Sequence, residues 1–336
     1  MSIKIAINGF GRIGRAAFKV ILAGSGAEVV AINDLTDNET LAHLLKYDTV
    51  YGVYDKEVKA LKDGISVSGK KYKILTEKDP ANLPWEKPGI DVVLECTGFF
   101  TAYEDAQKHI SAGARKVIIS APSKSKEINT YVKGVNDNKI KKNEKIISNA
   151  SCTTNCIAPV MKVLEDNFGV DKAIMTAVHA YTADQNLVDG PHRGGDLRRA
   201  RAATENIVPT TTGAAITVTK IIPSLLDKFD GLAVRVPVPV GSLSDITALL
   251  KKDVTAEIVN NVFKKAAAKS EFKNILMATE DQIVSSDIVG NHYSAIVDLS
   301  LTEVVAGNMV KVIAWYDNEW GYANRIVELA IKVGKI

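Results

Sequence analysis

The sequence predicts an α/β protein of two domains, in which a doubly wound parallel sheet precedes an α+β domain with a mostly antiparallel or mixed sheet. In the first half, short apolar strand patterns alternate with amphipathic helix patterns, as in βαβ units. A glycine-rich turn joins the first strand pattern to the first helix pattern. From about residue 150 the strand patterns become longer. The chain has 336 residues, of which 46% are hydrophobic, so each domain can bury its own core.

The first half begins with a buried strand pattern, a helix pattern and a second strand pattern. Apolar strands separated by helices are typical of a parallel sheet that is covered on both faces. The predicted fold of this half is therefore a Rossmann-type doubly wound sheet. Its predicted strands are Ile3–Asn8, Glu28–Asn33, Asp91–Cys96, Lys116–Ser120 and Lys145–Asn149, and its helices are Arg12–Ala23 and Ala102–Ala112.

The second half combines longer strands with interleaved helices. The stretch Asp184–Arg201, rich in Gly, Asp, Pro and Arg, predicts a long ordered loop, and such loops inside a compact domain are usually functional. A last amphipathic helix is predicted at Tyr322–Val333. Strands are predicted at Ala173–Ala180, Leu232–Pro239, Ser244–Lys251, Ser294–Leu301 and Val310–Tyr316, and helices at Thr153–Asn167, Gly213–Ile222 and Ala256–Lys269.

Composition restricts the class of partner. A formal net charge of +3 is too small to favour nucleic acid or a membrane surface. Three cysteines do not suit a disulfide framework and favour a reducing compartment. No charged leader region precedes the first strand pattern, and no apolar run could span a bilayer. We therefore expect a cytoplasmic protein.

Gly9, Gly11 and Gly14 form a G-x-G-x-x-G pattern between the first strand and the first helix. The first glycine allows a tight turn, the second lets the backbone approach a pyrophosphate, and the third lets helix and strand pack closely. The helix N-terminus, at Arg12 and Ile13, would present free N–H groups to the phosphates. The pattern predicts a dinucleotide site, although a plain glycine turn before a core helix has the same spacing.

Asp34 ends the second strand, about twenty residues past the last glycine, where a ribose-binding acid belongs. Its carboxylate can accept hydrogen bonds from ribose hydroxyls and would repel a 2′-phosphate, which predicts NAD rather than NADP; the alternative role is a helix cap. Thr97, Gly98 and Ser120 follow two other strands, where ligands of open sheets lie. For these three residues, spacing alone leaves cofactor contact and turn chemistry equally open. No metal site is predicted.

Cys152 lies at the predicted start of a helix, in the segment Ser148–Cys156. The positive end of a helix dipole lowers the pKa of a thiol and favours the nucleophilic thiolate. Cys156 lies one turn later and is expected to be a buried packing residue.

A thiolate enzyme needs a base. Among five histidines, only His179 ends a strongly apolar strand before a polar run, although a strand-end histidine is more often structural.

Several segments together resemble the glyceraldehyde-3-phosphate dehydrogenase family. The resemblance covers essentially the whole chain in order, and the cysteine segment combined with the upstream glycine motif is its most specific part. The segments are Asn8–Arg15, Ser148–Asn155, His179–Gln185, Asp196–Ala202, Pro209–Ala215, Leu232–Pro239 and Trp315–Tyr322.

The resemblance implies a phosphorylating, NAD-dependent aldehyde dehydrogenase of glycolysis and gluconeogenesis. It implies that Cys152 attacks D-glyceraldehyde 3-phosphate to give a thiohemiacetal, and that His179 accepts the hydroxyl proton as hydride leaves for NAD. Inorganic phosphate then attacks the thioester and releases 1,3-bisphosphoglycerate. Asn318 matches the residue that orients the nicotinamide carboxamide.

The resemblance also implies two anion sites, since hydroxyls, backbone N–H groups and a guanidinium suit phosphate oxygens. It leaves open which of the two sites Arg199 serves. The substrate phosphate would be bound by Thr182 and Arg235, and the attacking phosphate by Ser151, Thr153, Thr212 and Gly213.

The family's organisation implies the domain bounds. Residues 1–150 and a C-terminal helix at about 318–336 would form the NAD-binding domain, and residues 151–317 the catalytic domain. The resemblance also implies that the chain assembles as a homotetramer and that its ligands are small molecules.

Three departures from the family pattern leave the fine substrate preference open. Ala183 stands where the family commonly has asparagine, Gly241 lies in a segment that commonly has asparagine before a valine, and Gly194-Gly195 adds flexibility to the long loop. Two alternatives also remain: an erythrose-4-phosphate dehydrogenase, which releases an acid by hydrolysis, and a non-catalytic, nucleotide-fold RNA-binding protein. The second anion site favours phosphorolysis, and the intact cysteine and histidine favour an enzyme.

Overall fold

The computed structural model describes residues 2–24 and 26–336, which divide into two compact units. The first unit contains the chain up to Tyr131, Asn136–Ser151 and Tyr322–Ile336, and the second contains Val132–Val135 and Cys152–Gly321. The short segment Val132–Val135 lies inside the predicted first domain but belongs to the second unit. The C-terminal segment makes the first unit discontinuous.

The first unit is built on a nine-stranded sheet. Its elements are β1 (Ile3–Asn8), α1 (Arg12–Leu22), β2 (Ala27–Asn33), α2 (Asn38–Lys46), β3 (Tyr47–Asp48), β4 (Gly52–Val53), β5 (Val58–Leu61), β6 (Gly64–Val67), β7 (Lys70–Leu75), β8 (Val92–Glu95), α3 (Tyr103–Ser111), β9 (Lys116–Ile119), β10 (Asn129–Thr130) and β11 (Ile146–Ser148). The strand order is β10-β11-β9-β8-β1-β2-β7-β6-β5, and every pair from β10 to β7 is parallel. The predicted doubly wound parallel sheet is confirmed.

The register of this sheet brings polar residues together at one edge. Asn8, the last residue of β1, is paired with Asn33 of β2 and with Glu95 of β8. All four residues of β8 are buried, as expected for a central strand covered on both faces. The carboxyl ends of three neighbouring strands therefore meet where a ligand of an open α/β sheet binds.

The second unit is built on a seven-stranded mixed sheet. Its elements are α4 (Cys152–Phe168), β12 (Val170–Ala180), β13 (Val208–Thr211), α5 (Ala214–Ile221), β14 (Phe229–Val236), β15 (Ser242–Leu250), α6 (Ala256–Ala267), β16 (Leu276–Thr279), β17 (Ala295–Val305) and β18 (Met309–Tyr316). The order is β13-β14-β12-β15-β18-β17-β16, with parallel pairs only at β12–β14 and β16–β17. This confirms the predicted mixed sheet.

Several predicted strands differ from the observed ones by a few residues at an end: the strand expected at Ala173–Ala180 begins at Val170, and the one expected at Ser294–Leu301 runs from Ala295 to Val305. The strand expected at Leu232–Pro239 runs from Phe229 and ends at Val236. Proline has no backbone N–H to donate to a neighbouring strand, so Pro237 and Pro239 lie beyond the paired region.

The last helix, α7 (Trp320–Gly334), contributes its residues from Tyr322 onward to the first unit. A β-carbon on Gly334 would lie 2.6 Å from the Ile3 side chain, so the helix packs closely on β1. Lys332 also forms a 2.6 Å ion pair with Asp137. In the described residues, no helix has the length and apolarity that a membrane span requires.

Candidate active site

A cavity of about 830 Å³ lies at the carboxyl ends of β1, β2 and β8. Four predicted cofactor residues line it: Gly9, Gly11, Asp34 and Thr97. Cavities of this size suit a cofactor-sized ligand. The remaining lining residues are Asn8, Asn33, Leu35, Glu77, Lys78, Asp79, Cys96, Phe99, Phe100 and Lys108.

The three motif glycines have different surroundings. A β-carbon on Gly9 would lie 2.7 Å from the Thr97 nitrogen, and one on Gly14 would clash with the Gly9 carbonyl oxygen, so neither position admits a side chain. A β-carbon on Gly11 would meet no protein atom within 4 Å, although this residue lines the cavity. The space at Gly11, beside the first N–H groups of α1, fits a pyrophosphate that approaches the backbone.

The Asp34 carboxylate is fixed by two backbone hydrogen bonds. Its Oδ2 accepts from the Phe10 N–H at 2.7 Å, and its Oδ1 accepts from the Thr36 N–H at 2.9 Å. Each carboxylate oxygen retains a second acceptor site that a ribose hydroxyl can use. The residues present therefore fit an adenosine ribose without a 2′-phosphate.

Other predicted cofactor residues lie outside the lining. The Arg12 guanidinium forms a 2.6 Å ion pair with Asp48, so the α1 backbone rather than this side chain is available to a ligand. Ile13 and Gly98 do not line the cavity. Neither does Ser120, whose N–H donates to the Glu95 carbonyl oxygen.

Two of the lining residues that the sequence analysis did not identify have large, exposed apolar side chains. Leu35 and Phe99 are 64% and 66% exposed, and each directly follows a predicted cofactor residue. Large apolar side chains at a cavity rim suit the faces of a purine ring. A large apolar residue just past a strand-end polar residue is the signal that could have identified them.

The chain reaches Cys152, the first residue of α4, through a turn at Ala150. Ala150 adopts a left-handed conformation with φ of 57°, which costs about 1–3 kcal/mol in a non-glycine residue. Two hydrogen bonds hold it: its N–H donates to the Ser148 hydroxyl at 3.0 Å, and its carbonyl accepts from the Tyr322 hydroxyl at 3.1 Å. The turn before the nucleophile is thus fixed by its surroundings.

Cys152 and His179 form a contact pair. The Cys152 Sγ lies 3.4 Å from Nε2 of His179, at the end of β12. His179 Nδ1 lies 2.6 Å from the Ala180 carbonyl oxygen, which can only accept, and 3.1 Å from Nη1 of Arg235, which can only donate. The shorter contact places the proton on Nδ1, because the two hydrogens of this Nη1 are used by the Ala180 carbonyl oxygen and the Thr182 hydroxyl. Nε2 therefore presents its lone pair to the thiol, which is the tautomer that a base requires.

Burial controls the protonation of this pair. Burial lowers the pKa of His179 to about 3, and the Arg235 guanidinium adds to the shift. Burial also raises the pKa of the Cys152 thiol, against the opposing effects of Arg235 and the Thr153 hydroxyl. The backbone N–H groups of Cys152 and Thr153 at the helix start do lower the pKa of this thiol, as expected. Desolvation outweighs them, so the net pKa is raised and the expected standing thiolate is not favoured.

In the part of the chain that the structure describes, neither of the other two cysteines has a histidine ring as a hydrogen-bond partner. Burial raises the pKa of Cys96 to about 12, and the neighbouring Glu95 carboxylate adds to the rise. Cys156 is fully buried, burial raises its pKa still further, and its Sγ donates to the Ala314 carbonyl oxygen at 3.8 Å. Cys156 is therefore a packing residue, and all three cysteines are free thiols.

Arg235 lies opposite His179 in the pairing of β14 with β12. Its Nη1 donates to the Thr182 hydroxyl at 2.9 Å and to the Ala180 carbonyl oxygen at 3.1 Å. Its Nε is buried and has no hydrogen-bond partner among the described residues. This guanidinium therefore has donor capacity left for an anion.

Arg199 connects the two predicted anion sites. Its Nη1 pairs with Asp184 at 2.6 Å, and Asp184 accepts a hydrogen bond from the Thr182 hydroxyl. Its Nε donates to the Thr210 hydroxyl at 3.0 Å and its Nη2 to the Thr211 carbonyl oxygen at 3.4 Å, just before Thr212. Burial acts to raise the pKa of Asp184, but the Thr182 hydroxyl and the guanidinium groups of Arg235 and Arg199 together have the larger, opposite effect. The net pKa is lowered, so the carboxylate stays charged.

The residues predicted for the attacking phosphate lie near two helix starts. The Thr153 hydroxyl lies 3.0 Å from the hydroxyl of Tyr316, a buried residue that the sequence analysis missed and whose ring packs edge-on against His179. Gly213 precedes α5, and the Thr212 hydroxyl accepts from the Ala214 N–H at 3.2 Å. Ser151, which directly precedes Cys152 in the chain, belongs to the first unit.

Asn318 belongs to the second unit. The segment around Gly241, which differs from the family pattern, donates hydrogen bonds to its side-chain amide. The Asn318 Oδ1 accepts from the Gly241 N–H at 3.2 Å and from the Ser242 hydroxyl at 3.0 Å. A β-carbon on Gly241, where φ is +96°, would clash with the Ser285 carbonyl oxygen. Only glycine fits at position 241. Because the Asn318 Oδ1 accepts these two hydrogen bonds, the amide N–H groups of Asn318 are the atoms that it can offer to a ligand.

Across the described chain, no cluster of three His, Cys, Asp or Glu side chains could hold a metal ion.

Comparisons with known proteins give one family. Models of the glyceraldehyde 3-phosphate dehydrogenase NAD-binding and C-terminal domains match residues 3–103 and 151–318. A glyceraldehyde-3-phosphate dehydrogenase of Streptomyces coelicolor is 55% identical over 336 residues, with 99% of each chain covered. Relatives of the same name from Borreliella burgdorferi and Geobacillus stearothermophilus are 54% and 53% identical. The two alignments cover 99% and 98% of this chain, and 100% and 98% of the relatives' own chains.

Proposed function

This chain belongs to the glyceraldehyde-3-phosphate dehydrogenase family, and we propose that it converts D-glyceraldehyde 3-phosphate, NAD and inorganic phosphate to 1,3-bisphosphoglycerate and NADH in glycolysis and gluconeogenesis. The observation that carries the proposal is the 3.4 Å contact between the Cys152 thiol and the unprotonated Nε2 of His179. Beside it, Arg235 and Thr182 offer donors to a phosphate.

The first chemical step needs a thiolate and a base, and the contact pair supplies both. The Cys152 proton passes to Nε2 of His179 as sulfur attacks the aldehyde, because burial disfavours a standing thiolate. The Cys152 backbone N–H and the protonated imidazole can then stabilise the oxyanion of the thiohemiacetal. The imidazolium returns its proton to this oxygen, which gives the neutral thiohemiacetal and leaves Nε2 unprotonated for the next step. General-base help of this kind contributes about 10²–10⁴ in rate.

Oxidation needs a hydride acceptor and a base. NAD supplies the acceptor when it is bound. We propose that Gly9, Gly11 and the α1 N-terminus hold its pyrophosphate, and that Asp34 holds its adenosine ribose. His179 takes the hydroxyl proton of the thiohemiacetal as the thioester forms.

Two anion sites would then position substrate and nucleophile. Arg235 and Thr182 bind the phosphate of the aldehyde, which places its carbonyl carbon at Cys152. Ser151, Thr153, Thr212 and Gly213 bind the inorganic phosphate that attacks the thioester. Arg199 bridges the two groups through Asp184 and Thr210 and so keeps both sets of donors in register.

We also infer a homotetramer in the cytoplasm with small-molecule partners. Large apolar side chains of the long loop, and one just after it, are exposed on the second unit. Exposed apolar surface of this kind marks contact with another protein chain. The residues are Leu187, Val188, Leu197 and Ile207, whose exposed fractions run from 70% to 84%.

The test is a spectrophotometric assay of NADH formation with two aldehydes, each with and without phosphate. Glyceraldehyde 3-phosphate should be oxidised with a far higher kcat/KM than erythrose 4-phosphate, and turnover should require phosphate. Preference for erythrose 4-phosphate, with turnover that phosphate does not change, would replace this proposal by the hydrolytic alternative.

A further inference from the structure

A buried hydrogen-bond network lies beneath the cavity of the first unit, and no step of the proposed reaction uses it. Its centre is Glu95, the last residue of β8, whose side chain is fully buried. His109 of α3 and Trp85 are equally inaccessible to solvent. Burying an ionisable pair is costly, so a network of this kind calls for a physical reason.

Glu95 accepts four hydrogen bonds. Its Oε2 accepts from Asn8 Nδ2 at 2.5 Å and from His109 Nε2 at 3.0 Å. Its Oε1 accepts from the Thr97 N–H at 2.8 Å and from the Thr97 hydroxyl. An ionised carboxylate has about four such acceptor sites, so these donors satisfy all of them.

Trp85 fixes the direction of the hydrogen bonds that His109 makes. The indole Nε1–H can only donate, and it donates to His109 Nδ1 at 3.0 Å. His109 Nδ1 must therefore accept, and the single ring proton lies on Nε2, facing Glu95. A second proton on the ring would break the bond from Trp85.

The network ends at the cavity wall on two sides. The Thr97 hydroxyl accepts from the Phe99 N–H at 3.1 Å. Asn8 Oδ1 accepts from Asn33 Nδ2 at 2.7 Å. All four of these residues line the cavity, so Glu95 links the ends of β1, β2 and β8 with the turn that carries Phe99.

We propose that Glu95 is a positioning residue for NAD. Its carboxylate, oriented by the single tautomer that Trp85 imposes on His109, fixes the cavity floor at Asn8 and Thr97. This inference rests on the proposed assignment of NAD to this cavity.

The first test is Glu95→Gln, which keeps the side-chain shape. An amide presents one acceptor oxygen and one NH₂ group, so at least one present donor would face another donor. Loss of such a charge-assisted bond predicts a rise in the NAD Kd of about 10-fold or more, measured by calorimetry. At saturating NAD, the KM for glyceraldehyde 3-phosphate should stay within about two-fold of wild type, since the hydrogen-bond partners of Glu95 all belong to the first unit and sites that share no partners act independently.

The matched control is Glu144→Gln in the same unit. Glu144 also accepts several hydrogen bonds, from the Tyr131 hydroxyl at 2.8 Å and from the Lys141 N–H at 2.6 Å, but it does not line the cavity. This variant should lower the melting temperature and leave the NAD Kd unchanged. An equal rise in Kd for the two variants, or a wild-type Kd for folded Glu95→Gln, would overturn the proposal.

A double variant tests the direction of the network. Trp85→Phe removes the donor to Nδ1 of His109, so the ring proton can move there and Nε2 can accept from the new amide at position 95. Glu95→Gln combined with Trp85→Phe should therefore bind NAD more tightly than Glu95→Gln alone. Losses in binding free energy that simply add would contradict the fixed tautomer.

Nitrogen-15 NMR of the histidines in the wild-type protein keeps the proposal testable even where Glu95→Gln does not fold. At neutral pH, His109 should give the signals of a ring that carries its proton on Nε2 and accepts at Nδ1, because Trp85 donates to Nδ1. An Nδ1–H signal would overturn the proposal. Asp34→Gly separates the assignment of NAD to the cavity from the role of Glu95. Unchanged NAD binding by Asp34→Gly would refute the cavity assignment. Weakened NAD binding by Asp34→Gly, together with wild-type binding by Glu95→Gln, would refute only the role of Glu95.

Discussion

His179 and Arg235 face each other across the parallel strands β12 and β14, with Arg235 Nη1 3.1 Å from Nδ1 of His179. A guanidinium does not lose its proton in proteins, so this neighbour disfavours a charged imidazole at every working pH. Burial and this charge together hold the pKa of His179 at about 3. The same guanidinium donates to Thr182, so one side chain keeps the base unprotonated and prepares the anion site.

The lowered pKa of His179 predicts a loss of stability in acid. In the unfolded chain the imidazole takes up a proton near its ordinary pKa of 6.5, whereas the folded protein does not until about pH 3. The folded state therefore binds fewer protons in this window, and stability falls as pH is lowered through it. His179→Gln should flatten this part of the curve, as measured by melting temperature from pH 7 down to about pH 4. Equal slopes for variant and wild type would mean that His179 is not neutral in the folded protein.

Cys152 should react with iodoacetamide at neutral pH far faster than Cys96 or Cys156. Among the described residues, Cys152 is the one thiol with an unprotonated imidazole in contact, 3.4 Å away, to take its proton. Peptide mapping after brief alkylation measures the labelling of each cysteine. His179→Asn should slow both alkylation and turnover, the latter by about 10²–10⁴. Equal labelling of the three thiols would refute the choice of nucleophile.

The fold can be predicted where the pattern is local. The sequence predicts β1 with its observed bounds, Ile3–Asn8, because an apolar strand, three glycines and a helix follow in order. It does not predict the α2 helix or the β5–β7 strands. They cover exposed and lysine-rich sequence such as Lys70–Leu75, whose burial pattern depends on tertiary pairing rather than on a continuous apolar run.

The site can be predicted only in part, because distant segments build it. The resemblance supplies Cys152 and His179, but a sequence pattern carries no measure of the burial that raises the pKa of the thiol. Tyr316 and Ser242 lie far along the chain from the residues they hold, and only the sheet register brings them there. The network around Glu95 escapes sequence reasoning for the same reason.

NAD should be preferred over NADP, and Asp34 should be the main cause. Its carboxylate is held at the cavity rim by the Phe10 and Thr36 N–H groups, where it would repel a 2′-phosphate. Asp34→Gly should weaken NAD binding and reduce the ratio of kcat/KM values for NAD over NADP. The matched variant Asp34→Asn keeps the shape and removes only the charge. Similar kcat/KM for both cofactors in the wild type would refute the assignment of Asp34.

Arg235→Leu should greatly reduce the use of glyceraldehyde 3-phosphate and affect unphosphorylated glyceraldehyde much less. Loss of a charge-assisted phosphate contact is worth about 1.5–3 kcal/mol. Thr182→Val is the matched control, because it removes a hydroxyl of the same site and leaves the charge beside His179. Both variants should raise the KM for the phosphorylated aldehyde, whereas only Arg235→Leu should raise the pKa of His179. An equal loss on both aldehydes would assign Arg235 to the chemistry or the fold instead.

Sustained oxidation should require inorganic phosphate. Once hydride has left, Cys152 carries a thioester that water attacks slowly, whereas a phosphate held by Ser151, Thr153, Thr212 and Gly213 is a positioned nucleophile. Positioning of this kind can supply up to about 7–11 kcal/mol in favourable cases. Without phosphate, NADH should therefore appear in a burst of about one equivalent per active subunit and then nearly stop, because each subunit has one such thiol.

Two additions to the burst experiment separate acylation from phosphate attack. Arsenate should restore turnover, because it fits the same donors and its acyl product hydrolyses. Thr212→Val should raise the KM for phosphate and leave the burst amplitude intact, since the thioester forms before phosphate attacks. Thr182→Val should do the reverse, raising the KM for the aldehyde and leaving the KM for phosphate unchanged. Steady NADH production in phosphate-free buffer, at a rate that phosphate does not alter, would exclude phosphorolysis and indicate hydrolysis of the thioester.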